Sequence, residues 1–234
     1  MKKHLILMFI IVGLSNLNAQ VKISWKVDAD RKVADIVLYN ESNENIIVPL
    51  DTTSLQPYYS DSYRITENEW IDRYPFLGLT LNIYDQPDQK NIETQIHSHI
   101  NLSEFDKIKA ENDSIKKEFD IKIKEWKSQN DIQKVNANIN YYIINHLVFL
   151  HAKEKILFSV PFNLDNITNR KSGPLQGFYL LDCTRNNTGY LSARIDKNIY
   201  QYITESQKKK LREYKLFVGE LKSNKTEVKC IQNT

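Results

Sequence analysis

Two cysteines and six glycines in 234 residues are few, and what the sequence lacks narrows its chemistry. There is no Gly-rich phosphate loop, no nucleophile elbow, no HExxH and no CxxC. Phosphate-cradling chemistry is thereby disfavoured, since such loops need glycines where backbone approaches the anion. Long hydrophobic runs are missing as well. The longest, residues 5–14, is too short for about 30 Å of hydrocarbon. Nor does charge of one sign prevail, with 32 basic residues against 29 acidic.

The N-terminus nevertheless has a recognisable pattern. Lys2 and Lys3 form a positive n-region, residues 5–14 an apolar stretch, and Asn18-Ala19-Gln20 a small-residue exit. This predicts a cleavable signal peptide over residues 1–19 and export to the periplasm, the cell surface or the medium. The first cysteine is Cys183, so no thiol stands near the exit for lipid attachment. Taking Lys2 and Lys3 from the 32 basic residues leaves 30 against 29 acidic, a nearly neutral mature chain. Gathering nucleic acid or an anionic membrane needs a basic excess or a basic face. Neither is expected as a partner, and no membrane span is expected in the mature chain. In an oxidising compartment Cys183 and Cys230 can pair, which in the chain-entropy model adds roughly 4 kcal/mol. Spacing alone leaves a disulfide and two buried thiols equally open.

No Pro/Gly/Ser-rich linker divides residues 20–234, which predicts one domain. Val21, Ile23, Trp25 and Val27 alternate with polar neighbours, and residues 33–39 form a β-branched run after the turn at residues 28–30. That spacing predicts a hairpin. Residues 46–50 make a third strand, and Leu79, Leu81 and Ile83 alternate again. Residues 141–150 and 156–162 flank the charged turn Lys153-Glu154-Lys155 and read as a second hairpin. Further short strands are predicted at 178–181, 190–193, 214–218 and 226–231. About ten short strands with few helices argue for a sandwich.

Two segments depart from this pattern. Phe105, Ile108, Ile115, Phe119, Ile123 and Trp126 recur at spacings of three, four or seven among fourteen balanced charges. An amphipathic helix is predicted over 103–128, within an insertion at 103–135, its apolar stripe packed on the sandwich. Thr204 and Gln207 match a capping box for a short connecting helix at 205–212.

Three runs carry a resemblance: VLYNESNENIIVPL from Val37, LVFLHAKEKILFSVPFNL from Leu147, and YKLFVGELKSNKTEVKC from Tyr214. In style the chain resembles exported bacterial domains with an immunoglobulin-like β-sandwich, over about half of the mature chain. It departs from them in its helical insertion, and it lacks the Cys, Trp, Cys spacing of antibody domains. The resemblance implies a mainly β, immunoglobulin-like antiparallel β-sandwich. That architecture serves many functions, so it fixes none.

Residues 57–76 concentrate aromatics, among them Tyr58, Tyr59, Tyr63, Trp70 and Tyr74. Exposed, they would form a platform for a glycan or a protein; buried, they fill a core or rim. His97 and His99 share one face of a strand and are weak metal candidates, since a site needs three or four ligands. His146 and His151 join them only if the fold brings distant segments together. Lys208, Lys209, Lys210, Arg212 and Lys215 read as a solvated helix face. The expectation is therefore an exported, non-enzymatic protein with a binding or structural role, no cofactor, and a protein or a glycan as partner. Alternatives are a secreted hydrolase or metal-dependent enzyme with a dispersed site, and an inhibitor or chaperone-like protein that captures a chain at a sheet edge.

Overall fold

Strict alternation builds the first sheet of the computed structural model, which describes residues 20–59, 77–85, 90–98, 105–130, 132, 136–167, 175–182 and 184–229. Strands β1 (Val21–Asp28) and β2 (Val33–Asn40) pair antiparallel from Val21↔Asn40 to Asp28↔Val33. Strand β8 (Lys155–Pro161) adds to the other side of β2. Val21, Ile23, Trp25, Ala34, Ile36 and Leu38 turn inward, while Lys22, Ser24 and Lys26 stay in water. A slip of one residue would exchange these two sets, so burial fixes the register.

A second sheet contains β4 (Asp51–Gln56), β5 (Gly78–Asp85), β10 (Asn187–Ile195) and β12 (Gly219–Lys222), in the order β12-β10-β5-β4. Strand β13 (Thr226–Val228) also pairs with β10. The third sheet is β11-β3-β7, made of β3 (Ile46–Pro49), β7 (Leu147–Leu150) and β11 (Lys215–Leu216). A two-stranded ribbon joins β6 (Gln95–Ser98) to β9 (Leu175–Phe178). The protein is thus mainly β, with several sheets. It is not wholly antiparallel as expected, because β4 runs parallel to β5 and β11 parallel to β3.

The segment expected as a second hairpin does not reverse. Strand β8 pairs with β2, whereas β7 pairs with β3. Residues 33–49 and 147–161 therefore form one long antiparallel ribbon, bent where residues 40–45 meet 151–154. Asn40, fully buried, supplies the bend. Its Nδ2 donates to the carbonyls of Glu44 at 2.7 Å and His151 at 2.9 Å, and its Oδ1 accepts from Ser42 N at 3.0 Å. Lys153 takes a left-handed φ of 64° in the same corner. Bending in this way carries the chain from the first sheet to the third.

Part of the segment read as strand is helical instead. Helix α2 (Ala137–Asn145) follows α1 (Phe105–Gln129), and a 3-10 segment (Lys197–Tyr202) leads into α3 (Glu205–Lys210). Asn136 caps α2 by accepting from Asn138 N and Ile139 N. Ile139 and Ile143, one turn apart, then face the core together. Thr204 and Gln207 complete a capping box at the start of α3.

The α1 stripe is covered at one end. Phe119 and Trp126 set ring edges against Tyr141 of α2 at 6.1 and 5.4 Å. Ile115 is 55% exposed, so the stripe does not lie along the sheets as expected. The balanced charges on the other faces keep such a helix hydrated without full burial.

One core draws on the first sheet, on Leu79, Leu81, Ile83 and Leu191 of the second, and on Ile46, Val48 and Leu150 of the third. Strand β1 lies beside β12 and β13, and β8 lies beside β4, so the first two sheets approach at both edges. Each fully buried Leu or Ile there contributes about 1.5–3 kcal/mol over exposure.

Candidate functional site

Strands β5 and β10 remain paired only from Asn187↔Asp85 to Ser192↔Thr80. Beyond that point β10 continues with β12 to Ile195↔Gly219, while β5 continues alongside β4 back to Gly78. A cleft of about 460 Å³ lies at this parting, lined on one side by the 3-10 segment. Its size is that of small-molecule sites, roughly 300–1,000 Å³.

The floor of the cleft is apolar, with Leu77, Ile195 and Ile199 all buried. The rim is polar, with Gln56 from β4, Arg194 from β10, and Asp196, Asn198 and Gln201 from the turn into and along the 3-10 segment. Arg194 and Asp196 are two apart in extended chain and lie on one side of it. Arg194 is exposed and forms no ion pair among the described residues; Glu220 stands opposite it in the β10–β12 ladder without closing on it. The Asp196 side chain accepts from Asn198 N at 2.9 Å and thereby starts the 3-10 segment.

Behind the floor, a polar cluster holds Leu77 in place. Its carbonyl accepts from Asp51 N at 3.0 Å, and its N–H donates to Tyr142 Oη at 3.3 Å. Tyr142 Oη donates in turn to Asp51 Oδ2 at 3.2 Å. Asp51 Oδ1 accepts from both Thr53 N at 2.8 Å and Thr53 Oγ1 at 2.6 Å. His146 Nδ1 lies 2.7 Å from the Tyr142 carbonyl, so that nitrogen is the donor. Its Nε2 faces Asp51 Oδ1 at 3.7 Å, an ion pair when the ring is protonated. The Tyr142 carbonyl holds Nδ1, whereas Nε2 stands beyond hydrogen-bond distance of Asp51.

Of the aromatic segment chosen from the sequence, only residues 57–59 are among the described residues. Tyr58 is half-buried against the core; its N–H donates to Tyr179 Oη at 2.9 Å, and its carbonyl accepts from Thr94 N at 3.1 Å. Tyr59 Oη approaches Gly177 so closely that a Cβ there would lie 3.2 Å away. These two tyrosines belong to the rim packing near β9. Tyr63, Trp70 and Tyr74 lie outside the described residues, as do His99, Cys183 and Cys230. His97 falls on β6, with its side chain outside the description. His151 sets its ring 6.0 Å from Tyr214, away from His146.

Among the described residues no group of three or more His, Cys, Asp or Glu side chains is placed to hold a metal ion. No helix among them is long and apolar enough to cross a membrane. Sequence reasoning missed the cleft residues because Gln56, Arg194, Asn198 and Gln201 belong to no motif. Only Asp196, an acidic residue two positions before Asn198, has a local signal, and it is a capping signal. No protein-family model matches the chain, and no curated protein or solved structure matches it either.

Proposed function

We propose that this is an exported, non-enzymatic protein built as an immunoglobulin-like β-sandwich, and that its task is binding, with the cleft at the β5/β10 parting as the ligand seat. The observation that carries the reading is the cleft itself: an apolar floor beneath a rim of polar side chains, one of them an arginine with no partner among the described residues. Sites of this composition bury a ligand's apolar face and orient it with a few polar contacts. The approach of the first two sheets at both edges supports the sandwich, and residues 1–19 support export.

The test begins with the full chain expressed in a bacterial host and recovered from the periplasm or medium. Its N-terminal sequence is expected to begin near Gln20; a product that keeps Lys2 and Lys3 and stays in the cytoplasm overturns export. The recovered protein is then melted against soluble glycans, divalent metals and small metabolites. A ligand at about 100 times its dissociation constant adds roughly 2.7 kcal/mol, a rise of several degrees. Asn198→Trp, at an exposed rim position, should abolish that rise. A rise that survives the substitution places the ligand elsewhere.

A further inference from the structure

We infer that the cleft takes a neutral, hydroxyl-rich ring, such as a hexose unit of a glycan; this rests on the reading of the cleft as the ligand seat. Charge is the first argument. Among the described residues the lining carries one cation, Arg194, and one anion, Asp196, whose charges offset each other. A polyanion drawn to Arg194 would meet Asp196 on the same side of the chain.

The second argument is the shape of the polar groups. The Arg194 guanidinium, the Asp196 carboxylate and the amides of Gln56, Asn198 and Gln201 are planar forks. Each presents two adjacent hydrogen-bonding atoms, and the amides offer both a donor and an acceptor. Neighbouring hydroxyls on a sugar ring present the matching pair, since every hydroxyl both donates and accepts. A free amino acid would engage Arg194 and Asp196 but leave three amides without partners.

The third argument is the floor. Leu77, Ile195 and Ile199, which line the cleft beside its polar groups, are 2%, 3% and 8% exposed. A hexose has the same two-sided character, with C–H groups on the ring face and hydroxyls around its edge. Burying the C–H face on the floor while the rim satisfies the hydroxyls leaves few polar groups unpaired.

The test melts the recovered chain with three sets of probes: neutral oligomers of glucose, mannose, galactose and N-acetylglucosamine; oligomers of galacturonate and glucuronate; and free amino acids. Neutral oligomers are expected to raise the melting temperature by several degrees. Asn198→Trp should remove the rise, and Gln201→Leu, which deletes one exposed amide, should weaken binding about fivefold. Both variants should melt like the parent without ligand, because both positions are exposed. A rise confined to uronate oligomers or amino acids, and lost in Asn198→Trp, overturns the neutral-ring inference while the cleft remains a ligand seat. No rise with neutral oligomers overturns the neutral-ring inference, and a rise that Asn198→Trp leaves unchanged overturns both.

Discussion

Asn224 is bonded to Trp25 as though it were a neighbouring strand residue, although 199 positions separate them. The Trp25 N–H donates to Asn224 Oδ1 at 2.9 Å, and Asn224 Nδ2 donates to the Trp25 carbonyl at 3.1 Å. The Trp25 indole N–H donates to the Asn224 carbonyl at 3.0 Å. One side-chain amide thus occupies the outer edge of β1, where an open strand would otherwise present unpaired backbone. Asn224→Ala should cost about 1–3 kcal/mol, because it strands the Trp25 N–H, while the Trp25 carbonyl keeps Thr226 Oγ1 at 3.3 Å. Urea unfolding measures this; an unchanged midpoint would show that water replaces the amide.

Gly189 lies where β10 passes between the first sheet and β13. A Cβ there would stand 2.7 Å from Val228 Cγ2 and 3.3 Å from Trp25 Cζ2. Val228 is buried and stiff at its β-branch, so it has little room to retreat. Gly189→Ala should destabilise by about 1–3 kcal/mol. Adding Val228→Ala should recover part of that loss relative to the sum of the two single changes, which a double-mutant cycle in urea would reveal.

Asp35 is held below the ordinary aspartate range, first by the hydrogen bond that Ser159 Oγ donates and then by the charge of Arg31. A carboxyl depressed in the folded state stabilises it above the unfolded value of about 3.9, and that contribution is lost as pH falls through the folded value. Ser159→Ala should therefore lower the melting temperature at neutral pH. The gap from the parent should shrink as the pH drops below the carboxylate range; a gap constant with pH would assign the loss to packing.

Tyr179 provides the alkaline counterpart. Burial pushes its phenol up to about 12. Its hydroxyl donates to the Leu81 carbonyl and accepts from Tyr58 N–H. Tyr179→Phe should cost about 1–3 kcal/mol at neutral pH by leaving both groups unpaired. The raised value means that stabilisation is full below the unfolded value of about 10 and lost as pH rises through about 12. The difference between parent and variant should narrow across that window in a melting series.

The tie between α1 and the rest of the fold passes through Trp126, whose indole N–H donates to Asn140 Oδ1 at 2.8 Å. Asn140 is fully buried, and its amide also reaches the Tyr202 carbonyl at 2.6 Å and Gln207 Oε1 at 2.7 Å. Trp126→Ala should therefore cost α1 its protection from hydrogen exchange while the sheets keep theirs. Equal loss in the sheets would make α1 part of the core's cooperative unit.

These particulars explain which parts of the fold were legible in the sequence. The β1–β2 hairpin was readable because alternate residues face core and water, and α1 because its apolar spacing repeats. Strand β4 was not, since its sequence DTTSLQ has only one large apolar residue, and its pairing with β5 is a parallel, long-range contact. Helix α2 was mistaken for strand because NYYIIN is rich in β-formers; the Asn136 cap and the turn-spaced Ile139 and Ile143 overrule that propensity. The bend at residues 151–154 resembles a hairpin turn locally, and only the buried amide of Asn40, more than a hundred residues earlier, makes it a corner. The cleft was illegible for the same reason: its rim gathers from β4, β10 and the 3-10 segment side chains that share no sequence neighbourhood.

Closing the edge of the first strand with residues about 200 positions further along the chain also sets the order of assembly. A chain appearing from its N-terminus can form the β1–β2 hairpin early, but the groups that flank and seal β1 lie in residues 219–228. Until they arrive, Trp25 keeps an open edge and β10 lacks both β12 and β13. The closing contact joins residues 199 positions apart, the kind of long-range pairing that makes folding slow. Completion of this edge therefore waits on residues 219–228, which lie in line along β10 and act as its latch.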